Sequence, residues 1–212
     1  QVIVTTRFPV DAAARYAREP DYADFRERLQ VHGLDLRHTP SVEIFARSLA
    51  ERLPRLDYIL NNACQTVRRP AGWFRHLLDI ESQPFESLPA EWRGTLAAHA
   101  ELCRSLEAPS RGDAGSAGAT ALPALAGLSG ISGLVHSAAL SQRRYLDEDF
   151  RDSEALFPAG RYDADLQQVD LRETNSWRLR LHEVNTAELL EVQLINAIAP
   201  YTLNARRDRI DQ

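Results

Sequence analysis

The run Leu56-Asp-Tyr-Ile-Leu-Asn-Asn-Ala63 constrains this chain more than any other feature. A short apolar, β-branched and aromatic stretch that stops at two asparagines and a small residue is the pattern of a buried parallel strand. Its carboxyl end opens into a crevice, the place where open α/β sheets bind their ligands. The strand points at a nucleotide-type site. The first β-rich run, Gln-Val-Ile-Val-Thr-Thr-Arg7, has no phosphate-cradling glycine turn before it, and lysine and methionine are absent throughout. Gln1 in place of methionine reads as a start inside a longer protein.

Around this strand the spacing predicts an alternation of strands and helices. Strand one ends near Arg7, before Phe8-Pro9. Asp11 is placed to cap a helix over Ala12 to Tyr16, and Pro20 separates it from a second helical stretch carrying Tyr22, Phe25 and Leu29. Val31 to Leu36 reads as the next strand. Thr39-Pro40 opens a helix whose Val42, Phe45, Leu49 and Leu53 share a face until Pro54 ends it. Leu56 to Leu60 is then the third strand. Helices of this length between strands imply right-handed crossovers and a parallel sheet.

Beyond Ala63 the rhythm lapses. Trp73 to Leu78 and Glu91 to Leu106 read as helices, the second with Trp92, Leu96, Cys103 and Leu106 available to pack. Ala108 to Gly133 is rich in Gly, Ala, Ser and Pro, too poor in apolar surface to offset the entropy of ordering, and is expected to be mobile. Asn185 caps a closing helix, with Glu188 three positions on as a capping-box partner, and the run Leu189 to Asn204 is long and apolar.

Composition removes several functions. A net charge of −5 and a pI near 5.7, without a basic stripe, argue against a nucleic-acid backbone as partner. Cys64 and Cys103 have no metal-ligand spacing and read as reduced thiols. The six histidines are scattered, so no metal site is expected. No run approaches the roughly 20 apolar residues of a membrane span, and no signal peptide is visible, so a cytoplasmic location is expected. Gly127-Leu-Ser-Gly-Ile-Ser-Gly133 lacks a preceding strand and reads as loop rather than phosphate cradle. Asp147, Glu148 and Asp149 read as solvated surface.

Taken in order, these elements resemble the short-chain dehydrogenase/reductase family over about residues 1 to 63 and 186 to 206. The phrases Val-Ile-Val-Thr-Thr-Arg-Phe-Pro, Asn-Asn-Ala-Cys-Gln-Thr-Val-Arg-Arg-Pro, Gln-Gln-Val-Asp-Leu-Arg and Val-Gln-Leu-Ile-Asn-Ala-Ile-Ala-Pro look like a subgroup with a long insertion after its fourth strand. The resemblance implies an α/β fold, a Rossmann-like parallel sheet with flanking helices, incomplete here. Residues 1–63 are a partial Rossmann segment, 64–185 an insertion with 108–133 mobile, and 186–212 a Rossmann helix and tail. The family's first strand and everything after its fourth helix are missing from this register.

The resemblance also assigns roles. Arg7 falls where the adenosine ribose sits, and a guanidinium there binds a 2′-phosphate bidentately, which favours NADP over NAD; the alternative is a surface arginine at a strand end. Asp35, with Leu36, matches the position that holds the adenine edge, or else is a turn aspartate. Asn61, Asn62 and Ala63 match the family's Asn-Asn-Ala-Gly, with Cys64 in the glycine's place; two asparagines in an ordinary turn are the alternative. Asn196 matches the helix asparagine of the catalytic proton relay, or is an amide bonded to a nearby carbonyl, since a polar group buried amid Leu194, Ile195, Ile198 and Ala199 must find a partner.

The family's Tyr-x-x-x-Lys pair, in which lysine lowers the tyrosine pKa, does not occur: no tyrosine here has lysine four positions on. Ser137 and Ser141 do not stand in for the family's catalytic serine. The expectation is therefore part of an NADP-dependent oxidoreductase that moves a hydride between cofactor and a carbonyl or alcohol, inactive by itself. The alternatives are a non-catalytic nucleotide-binding or assembly protein, pairing through the apolar 187–205 helix, and a truncated or degenerate reading frame. One physical expectation accompanies all three. Without the family's first strand, the first and third strands face each other across about 9.5 Å, two strand spacings. Buried edges left so are costly, so the strands are expected to meet, to fold poorly, or to be completed by further chain.

Overall fold

Val2-Ile-Val-Thr-Thr6 forms strand β1 (Val2–Thr6), and pleating sends Ile3 to one face of the sheet and Val4 to the other. A computed structural model describes residues 1–107, 130–151, 154–164 and 167–207. Helix α1 (Pro9–Tyr16) follows at once, with Pro9 in the first turn, where its missing N–H costs nothing. Asp11 does not cap it. It lies within the first turn, and its N–H donates to the Glu81 carboxylate at 2.9 Å.

Helix α2 (Tyr22–Phe25) is a single turn, and Leu29, which shares helical spacing with Tyr22 and Phe25, instead opens strand β2 (Leu29–Gly33). Pairing with β1 wins over local pattern: the strands run parallel, Val4 opposite Val31 and Thr6 opposite Gly33. Helix α3 (Thr39–Arg52) begins where Pro40 predicts. Its cap is His38, whose ring nitrogen accepts from the Ser41 N–H. Val42 and Phe45 are fully buried, packed with Leu34, Leu134 and Ala199.

The third strand is not formed. Leu56 to Leu60 runs past β1 without entering a ladder, so among the described residues the sheet has two strands, in a molecule that is mixed α/β and mostly helical. A groove of about 150 Å³ lies between the Ile3 and Thr5 side of β1 and the run Leu56 to Asn61. The two neither meet nor bury bare edges. Tyr58 is 85 % and Leu60 90 % exposed, so the run is not the buried strand on which the energetic expectation was built.

The rest of the chain wraps this centre. A 3₁₀ turn (Ala71–Phe74) leads into α4 (Arg75–Glu81), so the helix expected from Trp73 begins two residues later. Helix α5 (Ala90–Glu107) packs along β2, sending Leu96 to the Val10, Ala13 and Val31 cluster and Leu102 to the Phe45 cluster. It straddles the β2 edge closely. A Cβ on Gly33 would stand 2.7 Å from Ser137 Oγ and 3.0 Å from His99 Nε2, so only glycine fits without displacement. Two short helices follow, α6 (Ser132–Val135) and α7 (Ser137–Ser141). Of the tract expected to be mobile, residues 108–129 lie outside the described residues, whereas Ile131 is core.

The closing helix is built in three pieces: α8 (Thr186–Gln193), a π-helical turn (Leu194–Ile198) and α9 (Ala199–Arg207), which packs on α3. Asn185 caps α8, accepting from the Ala187 N–H at 2.8 Å. Glu188 is not the second half of a capping box. It is buried, and its carboxylate accepts from the Arg68 N–H and the Ser176 hydroxyl. No helix among the described residues is long and apolar enough to cross a membrane.

Candidate functional site

Strand β1 delivers Arg7 to the carboxyl end of the sheet. Its carbonyl accepts from Ser137 Oγ at 2.9 Å, and its guanidinium carbon lies 4.5 Å from the Phe74 ring centroid and 5.5 Å from that of Phe8. No carboxylate among the described residues forms an ion pair with it. Burial, and then the nearby Arg37 cation, pull its pKa down to about 10, against the opposing pull of Asp35 and Glu191. A half-buried arginine whose side-chain donors make no hydrogen bond among the described residues has the chemistry to accept an anion.

Beyond β2 the turn Asp35-Leu36-Arg37 closes on itself. Asp35 is 1 % exposed, and its carboxylate accepts from the Arg37 N–H at 3.0 Å and from Nε and Nη2 of the same side chain. Those are the bonds of a turn aspartate. Leu36 packs half-buried against the Phe45 cluster. Arg37 reaches on to Glu191, 2.6 Å from Nη1. Burial disfavours the Arg37 cation, but its bonds to Asp35 and Glu191 outweigh burial and raise its pKa.

Asn61, which lines the groove, and Asn62, Ala63 and Cys64 after it are exposed, and the next residue is gripped. Asn196 accepts from the Gln65 N–H at 2.9 Å and donates to the Gln65 carbonyl at 2.8 Å, while Glu191 accepts from the Gln65 amide at 3.2 Å. The π-helical turn makes this double grip fit. Five residues of α-helix separate two side chains by about 140° around the axis, but a π turn absorbs one residue and returns them to nearly one face. Asn196 is thus exposed rather than buried, and its partner is a loop 131 residues away in sequence.

Sequence reasoning missed the charges behind this loop. Arg68 is 4 % exposed and donates to Asp149 (2.7 Å), Glu148 (3.0 Å) and the Tyr145 hydroxyl (3.0 Å), with Glu191 at 3.5 Å. Tyr145 in turn donates to Glu191, and its pKa is pushed up to about 12 by burial and by that carboxylate. Asp149 is fully buried and also accepts from the Tyr145 and Leu146 N–H groups, so the acidic run 147–149 is not simply solvated surface. One signal was available. Glu188 and Glu191 stand three apart in an otherwise apolar helix, and carboxylates on a packed face require cations.

The site therefore combines an unpaired cation on an aromatic surface, a charge-locked turn after β2, and an exposed Asn-Asn-Ala loop pinned by the closing helix. No set of three His, Cys, Asp or Glu side chains among the described residues is arranged to hold a metal. No family model, curated protein or solved structure matches the chain.

Proposed function

We propose that this chain is part of an NADP-dependent oxidoreductase of the short-chain dehydrogenase/reductase type, contributing the adenosine end of the cofactor site and the loop beside it. The observation that carries the reading is the two-point bond of Asn196 to the Gln65 backbone. It ties the closing stretch that resembles the family, residues 186–206, to the backbone two residues beyond the end of the first, residues 1–63, through the asparagine that the resemblance singles out and within the phrase Asn-Asn-Ala-Cys-Gln.

Arg7 supports the choice of NADP: a free guanidinium at a strand end suits a 2′-phosphate, whereas an acidic side chain there would suit a bare ribose. Asn61 lines the groove and Asn62 and Ala63 follow it as an exposed loop, the part of the reading that would lie beside the cofactor, and Asp35 and Leu36 serve by shaping the turn that holds Arg37. When bound, the cofactor supplies a hydride to a carbonyl carbon or takes one from an alcohol. The 212 residues carry no Tyr-x-x-x-Lys to move the accompanying proton, so binding without turnover is the expected activity. Calorimetric titration with NADPH and NADH tests this. Tighter binding of NADPH is expected, and absence of binding to either would overturn it.

A second reading, assembly of two copies through the closing helix, draws on one observation. Leu189, Leu190, Ile198 and Tyr201 are 53, 58, 43 and 73 % exposed, an apolar stripe at helical spacing. Sedimentation showing only monomer at high concentration would remove it.

A further inference from the structure

We propose that Phe74, which belongs to the segment between the Asn-Asn-Ala loop and the closing helices, is a positioning residue that aims the Arg7 guanidinium at a 2′-phosphorylated adenosine nucleotide. The inference rests on the NADP reading above and adds to it the device that selects the phosphate.

An arginine on its long stem loses much rotamer freedom when it is made to hold one direction, and an anion site is stronger when that loss precedes binding. A carboxylate neighbour would hold Arg7 too, but would cancel its charge and repel a phosphate. An aromatic ring fixes the cation without consuming an N–H donor or neutralising it. The geometry around Arg7 is of this second kind. The rings of Phe8 and Phe74 stack at 5.3 Å and 28°, and the guanidinium lies against both, with no carboxylate among the described residues in ion-pair contact.

Phe74 is itself held. It is buried, and Trp73 meets its ring edge-on at 4.6 Å while donating from Nε1 to the Gln168 carbonyl at 2.7 Å. Ser137 holds the Arg7 backbone from another side. Both ends of the arginine are thus oriented by residues outside the two-stranded sheet, and the segment that interrupts the family resemblance becomes part of the nucleotide site. The depressed pKa of Arg7 agrees with a guanidinium whose burial, together with the Arg37 cation, outweighs the more distant pull of Asp35 and Glu191.

The test is calorimetric titration of the whole chain with 2′,5′-ADP and with 5′-AMP. The unaltered protein binds 2′,5′-ADP more tightly. Phe74→Leu keeps apolar bulk without a ring, and is expected to lose about 10-fold in affinity for 2′,5′-ADP, with 5′-AMP unchanged within about twofold. Phe74→Tyr restores the preference, and Arg7→Ala abolishes it. Should Phe74→Leu fail to fold, trifluorophenylalanine at position 74 keeps the shape and drains the ring of charge; a several-fold loss is then expected. If the unaltered protein does not distinguish the two nucleotides, the NADP reading falls and this inference with it. If it does distinguish them and neither ring alteration changes the ratio, the NADP reading stands and the role of Phe74 is refuted.

Discussion

The two long edges of the small sheet are treated in opposite ways. Along β2, α5 seals the edge with Leu96 and Leu102 on either side and His32 and His99 in ring contact, 5.7 Å between centroids. Along β1 a groove remains, and the facing run Leu56–Asn61 is half-buried at Leu56 and Ile59 and exposed elsewhere, until Gln65 and Arg68 are caught by Asn196, Glu188 and Glu191. One side is held by burial, the other by hydrogen bonds and charge. The difference teaches that a strand-like sequence becomes a strand only where a partner edge lies within hydrogen-bonding reach. Where none is, side chains of a helix can still hold the backbone in place.

The comparison is most severely tested on its polar side. Arg68→Ala strands the Asp149 carboxylate without its cation and is expected to cost about 3–5 kcal/mol in chemical denaturation; a loss under about 1 kcal/mol would show that the network is ornamental. On the sealed side, Leu96→Ala should cost about 2–5 kcal/mol through the cavity it leaves, and insensitivity to this change would break the claim that burial holds the β2 edge.

Acid probes the same edge. His32 is 1 % exposed, neither ring nitrogen has a hydrogen-bond partner among the described residues, and burial, followed by His99 and Arg52, lowers its pKa to about 3; burial lowers that of His99 to about 4. The unfolded chain takes up these protons first. Stability is therefore full above about pH 6.5 and falls as the pH drops toward the folded values, by at most about 1.4 kcal/mol per pH unit for each histidine. Unfolding measured at pH 7 and pH 5 should show the slope, and His32→Leu should flatten it; an unchanged slope in that variant would assign the effect elsewhere.

Smaller effects sharpen the contrast. Asn196→Ala is expected to cost about 1 kcal/mol and to speed hydrogen exchange at the Gln65 amide, while the β2 amides keep their protection. Leu60→Ser, at a side chain 90 % exposed, should stay within about 0.5 kcal/mol of the unaltered protein. A large loss there would mean that the run packs against something after all.

Local pattern was a good guide wherever a partner lay close in sequence. The Pro40 start of α3, the Asn185 cap of α8 and the limits of α5 are all written in adjacent residues. Leu29 misled because helical spacing and strand propensity agree on its apolarity, and only β1 decides between them. Leu56–Leu60 misled for the complementary reason: its composition is that of a strand, but composition cannot supply an edge. Arg7 is legible as a cation at a strand end, whereas Phe74 lies in the stretch Trp73 to Leu78, whose spacing predicts a helix and says nothing of a contact with Arg7. The spacing of Glu188 and Glu191 signals that a cation is needed but not which one. A carboxylate amid leucines looks like the polar face of an amphipathic helix until Arg37, Gln65, Arg68 and Tyr145 are seen converging on it.

The π-helical turn at Leu194–Ile198 has a consequence for how this sequence tolerates length changes. It behaves as one surplus residue that the helix has swallowed, and the grip on Gln65 depends on that surplus. Deleting Ala197 or Ile198, beyond Asn196, would yield a straighter and intrinsically better helix, yet would swing Asn196 about a quarter-turn or more away from Glu191; deleting Leu194 or Ile195, ahead of it, would straighten the helix and leave the asparagine on the Glu191 face. Which residue is lost decides whether the more regular protein lets go of its loop.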